Sequence, residues 1–201
     1  MTEKSTFIRL KENEREVRKN LIMDAARKLF AEKSFHEIGM RDIANEAGVA
    51  AGSIYRYFPS RDDLLVEALT HELKGVEERF ERRLEEGNAT IEELALAVVN
   101  YLLDNEPTFQ MMCHFMTRGE VSPASLERFN AGQKYLLSMF DKVLAQTGNI
   151  ENIRFFSHAF FASLLGVVMT FRNYPGRSQE DIRKHMERLA LVTATVFKKG
   201  M

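Results

Sequence analysis

Apolar positions recur with a helical period along nearly the whole chain, and the breaks fall at glycine, proline and capping residues. Leu21, Ile22, Ala25, Ala26, Leu29 and Phe30 predict an amphipathic helix over Arg18–Lys33. A tighter pattern follows in Met40–Leu64. Ile43 and Ala47 give a first helix its apolar face, and Gly48 stands where a helix ends in a left-handed residue. Ala44 is small enough for two helices to cross closely, Val49 plugs the turn, and Ile54, Tyr57 and Phe58 form the inner face of a short helix spanning about Ala51–Tyr57. Ser60 and Asp63 then make a capping box for a helix from Arg61 to about Glu86. Thr90 caps the next helix, which stops near Asn105-Glu106-Pro107. Further helices are expected over Thr108–Arg118, Ser122–Thr147 and Glu151–Asn173, and Ser178 caps a last one. No strand pattern and no internal repeat is present. The expected fold is all-α, with about nine helices.

Helix, glycine turn and helix in this compass is the pattern that sets a second helix into a DNA major groove. The stretch IMDAARKLF…SFHEIGMRDIANEAGVAAGSIYRYFPSRDDLL resembles the N-terminal DNA-binding domain of the TetR family of transcriptional regulators, over about Arg18–Leu69. Beyond that the likeness is one of length and helical layout. The resemblance implies an arm or helix extension in residues 1–17, a helix-turn-helix domain in 18–62, and a helical effector-binding and dimerisation domain in 63–201. Two positions depart from the family: Ser34 stands where Gly is usual, and Gly39 where Thr or Ser is usual. Gly is a tolerated N-cap, but Gly39 lacks the hydroxyl that makes a phosphate contact in the family.

Candidate DNA contacts follow from the short second helix. Ala50, Ala51, Gly52 and Ser53 let its N-terminus approach the duplex closely, where backbone N–H groups meet phosphate. Arg56 is the long donor on this helix, suited either to guanine O6 and N7 or to phosphate alone. Tyr55 lies off the Ile54–Phe58 face, and Tyr57 either faces the domain core or joins Tyr55 at the groove edge; the resemblance implies that both positions contact the phosphate backbone. Arg61 takes the place of a family lysine that holds phosphate, and Arg41 is a further phosphate candidate.

Charge changes this picture little. The net charge is −1 over 201 residues, but residues 1–61 hold 12 Lys and Arg against 9 Asp and Glu, and the remainder is acidic. A basic end on an acidic body suits a protein that meets DNA at one end. Met1–Glu16 is either a solvated arm or a helical extension. With 28% charged residues, no apolar run near 20 residues and no apolar signal-peptide core, a cytoplasmic protein without a membrane span is expected.

One reading helix covers too few base pairs for genomic specificity, so a homodimer on a palindromic operator is expected. TetR-like proteins pair through their last two helices. Here the candidate interface is Phe156, Phe160, Leu164, Val167 and Phe171, with Met186, Leu189, Val192 and Val196, and Ala159, Ala162 and Gly166 permit close approach. The competing reading is the central helix of a monomeric bundle.

A small hydrophobic effector is the expected second partner beside double-stranded DNA. Phe109, Met112, Cys113 and Met116, with Tyr101, Phe129, Tyr135 and Phe161, could surround it, and His114, Arg118 and His158 are candidate polar anchors. Ordinary core packing competes for each of these residues. Cys113 is the sole cysteine, a buried structural thiol or a redox sensor. No nucleophile elbow, Gly-rich cofactor loop, P-loop or HExxH motif occurs, so no enzyme, cofactor or metal is expected. A helical ligand-binding or scaffold protein that no longer reads DNA is the alternative.

Overall fold

The computed structural model describes residues 3–33, 37–85, 89–117, 121–146 and 151–200. Ser34, Arg118 and the breaks at Gly87, Gly119 and Gly148 fall outside them. The described residues form helices α1 (Glu3–Glu32), α2 (Met40–Glu46), α3 (Ala51–Ile54), α4 (Arg61–Glu85), α5 (Ile91–Asp104), α6 (Glu106–Thr117), α7 (Pro123–Ala145), α8 (Ile153–Phe171) and α9 (Gln179–Gly200). No strand occurs among them.

Local chemistry explains most boundaries. The Thr90 hydroxyl accepts the Glu93 N–H at 3.1 Å while the Glu93 carboxylate accepts the Thr90 N–H at 3.1 Å, closing a capping box on α5. Ser60 and Ser178 cap α4 and α9 by accepting the N–H of Asp63 and Asp181. Two elements differ from expectation. α1 begins at Glu3, fifteen residues before the expected start at Arg18, because residues 3–17 are rich in Glu, Lys and Arg, all good helix formers. α3 ends at Ile54, three residues early, since Phe58 precedes Pro59 and is steered out of the helical region. The Tyr57 and Phe58 amides both close onto the Ile54 carbonyl at 3.0 Å as a turn.

The chain divides into two compact units, Met1–His71 with Gln110–Leu126, and Glu72–Phe109 with Glu127–Met201. In the first, Ile22, Ala26, Phe30, Ile38, Ile43, Ala44, Ile54, Phe58, Leu64 and Leu65 form a closed core. Each large side chain so buried stabilises the unit by about 1.5–3 kcal/mol. In the second, α5 packs on α9 and α8, and α8 packs on α9. Phe140 meets Phe160 and Phe161 edge-on, at centroid distances of 6.1 and 5.7 Å. The 19 residues of α8 are long and apolar enough to cross a membrane by composition alone; its inner face, with Phe160, Leu164 and Val168, is instead buried in this unit.

Candidate nucleic-acid interface

The short two-helix element is held by its backbone. Gly39 opens α2, and the Asp42 carboxylate accepts its N–H at 2.8 Å, so the backbone of the helix start is tied down although Gly39 has no hydroxyl to offer. Gly48 turns the chain at φ +66°, a conformation that costs any L side chain about 1–2 kcal/mol. The turn then closes through the Val49 N–H on the Ala44 carbonyl at 2.9 Å. Ile43, Ala44 and Ile54 are wholly buried, with α3 packed on α2 and α2 on α1.

What remains outside this packing is the candidate contact surface. Arg41, Ala50, Gly52, Tyr55 and Arg56 are exposed, and Ala51, Ser53, Tyr57 and Arg61 half-buried. Arg41 and Arg56 make no ion pair among the described residues. Other cations of the unit are committed: Lys19 to Glu67, and Lys28 to Glu46 at 2.5 Å. The Arg18 guanidinium, beside Tyr57 and bonded to Glu14 at 2.6 Å, is held above its ordinary pKa by both. The Arg61 guanidinium lies over the Phe30 ring, 5.8 Å from its centroid. Tyr57 and Arg61 thus each have an internal partner, whereas Tyr55 and Arg56 point outward.

The first turn of α4 carries a second layer of bonds. His114, on α6 and buried, places Nε2 2.9 Å from Asp62 Oδ1. The neighbouring Asp63 carboxylate accepts from the Ser60 hydroxyl at 2.7 Å and from the wholly buried Ser125 hydroxyl at 3.1 Å. These bonds explain why Gln110–Leu126 belongs to the first unit. His114 was expected as a ligand anchor; the structure gives its Nε2 to Asp62.

The other expected effector residues fall in both units. Met112 is buried and Cys113 and Met116 half-buried in the first, and burial pushes the Cys113 thiol above its ordinary pKa. In the second, Phe109, Phe129 and Phe161 are buried, Tyr101 is half-buried, and Tyr135 and His158 are exposed. Arg118 lies outside the described residues. Sequence reasoning missed Arg172, which follows α8 directly. Its guanidinium sits 4.2 Å from the Phe109 ring centroid and pairs with Glu106. The signal available was a cation closing a helix that carries no charge from Ala159 to Phe171. Among the described residues no group of three His, Cys, Asp or Glu gathers as a metal site would require.

The residues expected at a dimer interface separate by burial. Phe160, Leu164 and Met186 belong to the chain's own core, and Phe156, Val167, Phe171 and Leu189 are half-buried. Val192 and Val196 are exposed, at 58% and 62%, together with Phe155 at 73% and Met169 at 50%. Along α8 the outward stripe runs Phe155, Ala159, Ala162, Met169, and the apolar girth read from the sequence is therefore two faces.

Comparison with known proteins places this architecture. The family model described as bacterial regulatory proteins, tetR family, matches residues 22–68. The fatty acid metabolism regulator protein of Bacillus subtilis is 29% identical over 161 residues, covering 75% of this chain and 81% of its own. The HTH-type transcriptional repressor KstR of Mycolicibacterium smegmatis is 32% identical over 139 residues, 67% of this chain and 66% of its own. Among solved structures, the transcriptional regulator FadR from Bacillus subtilis in complex with stearoyl-CoA superposes with a TM-score of 0.69 at 21% identity, over 90% of this chain and 98% of that one.

Proposed function

Since this chain belongs to the TetR family of bacterial regulatory proteins, we propose that it is a homodimeric repressor which reads a palindromic operator through α3 and lets go when an acyl effector binds. The named relatives are transcriptional regulators and repressors, and one neighbour is solved in complex with stearoyl-CoA. The carrying observation is the outward set Arg41, Gly52, Tyr55 and Arg56 on a two-helix element whose Ile43, Ala44, Ile54 and Phe58 are buried. Residues 18–62 read DNA in this account, residues 63–201 take the effector and pair two copies, and the protein works in the cytoplasm, where its operator is.

Two further observations support the finer parts. The outward faces of α8 and α9 carry Phe155, Met169, Val192 and Val196 beside Ala159 and Ala162, a surface that a second copy would cover. The effector class follows from the Phe and Met content of α6 and from the relative named for fatty acid metabolism. Selection of duplexes from a randomised pool tests the reading. An inverted repeat should emerge, with half-sites about one or more helical turns apart, and long-chain acyl-CoA should dissociate the complex. Recovery of no consensus would leave the non-reading scaffold alternative standing.

A further inference from the structure

We infer that Arg172 is the polar anchor of the effector site and takes one uncharged carbonyl oxygen, as an acyl thioester presents, in preference to a carboxylate. This rests on the reading that the chain binds a lipophilic acyl effector. The Arg172 side chain is 13% exposed. One face of its guanidinium is covered by Phe109, 4.2 Å to the ring centroid, and Nη2 is taken by Glu106. Nη1 is shut off from solvent and has no hydrogen-bond acceptor among the described residues. A guanidinium has donors and no acceptor capacity, and leaving one of its N–H groups dry is costly. Burial already pushes its pKa below the ordinary value. An oxygen brought by a ligand removes that cost, so it gains more here than at a solvated arginine.

The surroundings select the kind of oxygen. Glu106 already balances the charge of Arg172, so a second carboxylate would face Glu106 across one guanidinium, while a carbonyl adds no charge. With Nη2 engaged by Glu106, the two-point grip that guanidinium offers to carboxylate or phosphate would have to share that nitrogen with Glu106. A single accepted hydrogen bond to an uncharged oxygen fits what is left.

The test measures equilibrium binding of three probes to the full chain: S-palmitoyl-N-acetylcysteamine, its thioether analogue with methylene in place of the carbonyl, and palmitate. Wild type should hold the thioester about tenfold tighter than the thioether, the worth of one charge-assisted hydrogen bond. R172M should bind the two alike, and E106Q should gain affinity for palmitate relative to the thioester. Circular dichroism and operator binding verify that each variant is folded. Indifference of wild type to the carbonyl, or a preference surviving in R172M, overturns the inference. So does tightest binding of palmitate by wild type. If all probes bind without preference, this inference alone falls; if none binds while the operator is still held, the acyl-effector reading falls with it.

Discussion

His114 Nε2 lies 2.9 Å from Asp62 Oδ1, joining the C-terminal half of α6 to the first turn of α4 across 52 residues of sequence. Asp62 follows the helix-turn-helix directly, so this bond and the neighbouring Ser125–Asp63 bond set how the reading element is seated in its own unit. An acidic group in the first turn of α4 is favoured by the helix dipole, and His114 supplies its buried partner. The His114→Ala variant should lose about 1–3 kcal/mol of stability, because the Asp62 carboxylate is left half-buried without this donor. Denaturant melts of wild type and variant check this, and D62N should lose a comparable amount.

Base reading is assigned to Arg56. The R56A variant should weaken operator binding by about 1–3 kcal/mol and relax selection at one base position. Competition binding against duplexes varied at each position measures both effects. A loss of affinity uniform across all sequences would reassign Arg56 to phosphate.

The turn between α2 and α3 is held by one backbone conformation. A Cβ built on Gly48 meets nothing within 4 Å, so G48A should cost about 1–2 kcal/mol through its positive φ alone. Thermal unfolding of G48A and of the more tolerant G48N should rank the two, with Asn the milder.

Burial separates fold from assembly on α8. Leu164 is wholly inside the chain, and L164A should cost about 2–5 kcal/mol of stability at unchanged stoichiometry. Phe155 is 73% exposed, and F155E should leave the fold intact while halving the mass seen in sedimentation equilibrium.

A pH dependence follows from Glu92. Its carboxylate is held below the ordinary range, chiefly by the hydrogen bond from Lys198 Nζ at 2.9 Å that ties α9 to α5. A carboxylate with a depressed folded pKa contributes stability above its unfolded value of about 4.3 and loses that contribution as pH falls through the folded value. The pair is partly exposed, so its worth is about 0.2–1 kcal/mol. K198M should therefore be the less stable protein near neutrality, and the gap should close in acid melts.

Much of the fold was legible because its signals are local. Ser60, Thr90, Ser178 and Gly48 each announce a helix end through a bond or a dihedral that involves residues within a few positions. The contact surface was legible for the same reason: Tyr55 and Arg56 lie off the Ile54–Phe58 stripe. What periodicity could not show is pairing at a distance. Nothing in the pattern joins His114 to Asp62 or brings Arg172 onto Phe109 and Glu106. Nor does an apolar girth say which side is covered by the chain itself: Phe160, Leu164 and Met186 share a pattern with Val192 and Val196, and only burial divides them.

The central claim is that two copies of this chain read an inverted repeat. Titration of the DNA upstream of its own gene, at two salt concentrations and with excess competitor DNA, tests it most directly. Tight, salt-sensitive binding to a discrete inverted repeat, two chains per site, is expected. Weak binding that is indifferent to sequence, or one chain per site, would contradict it.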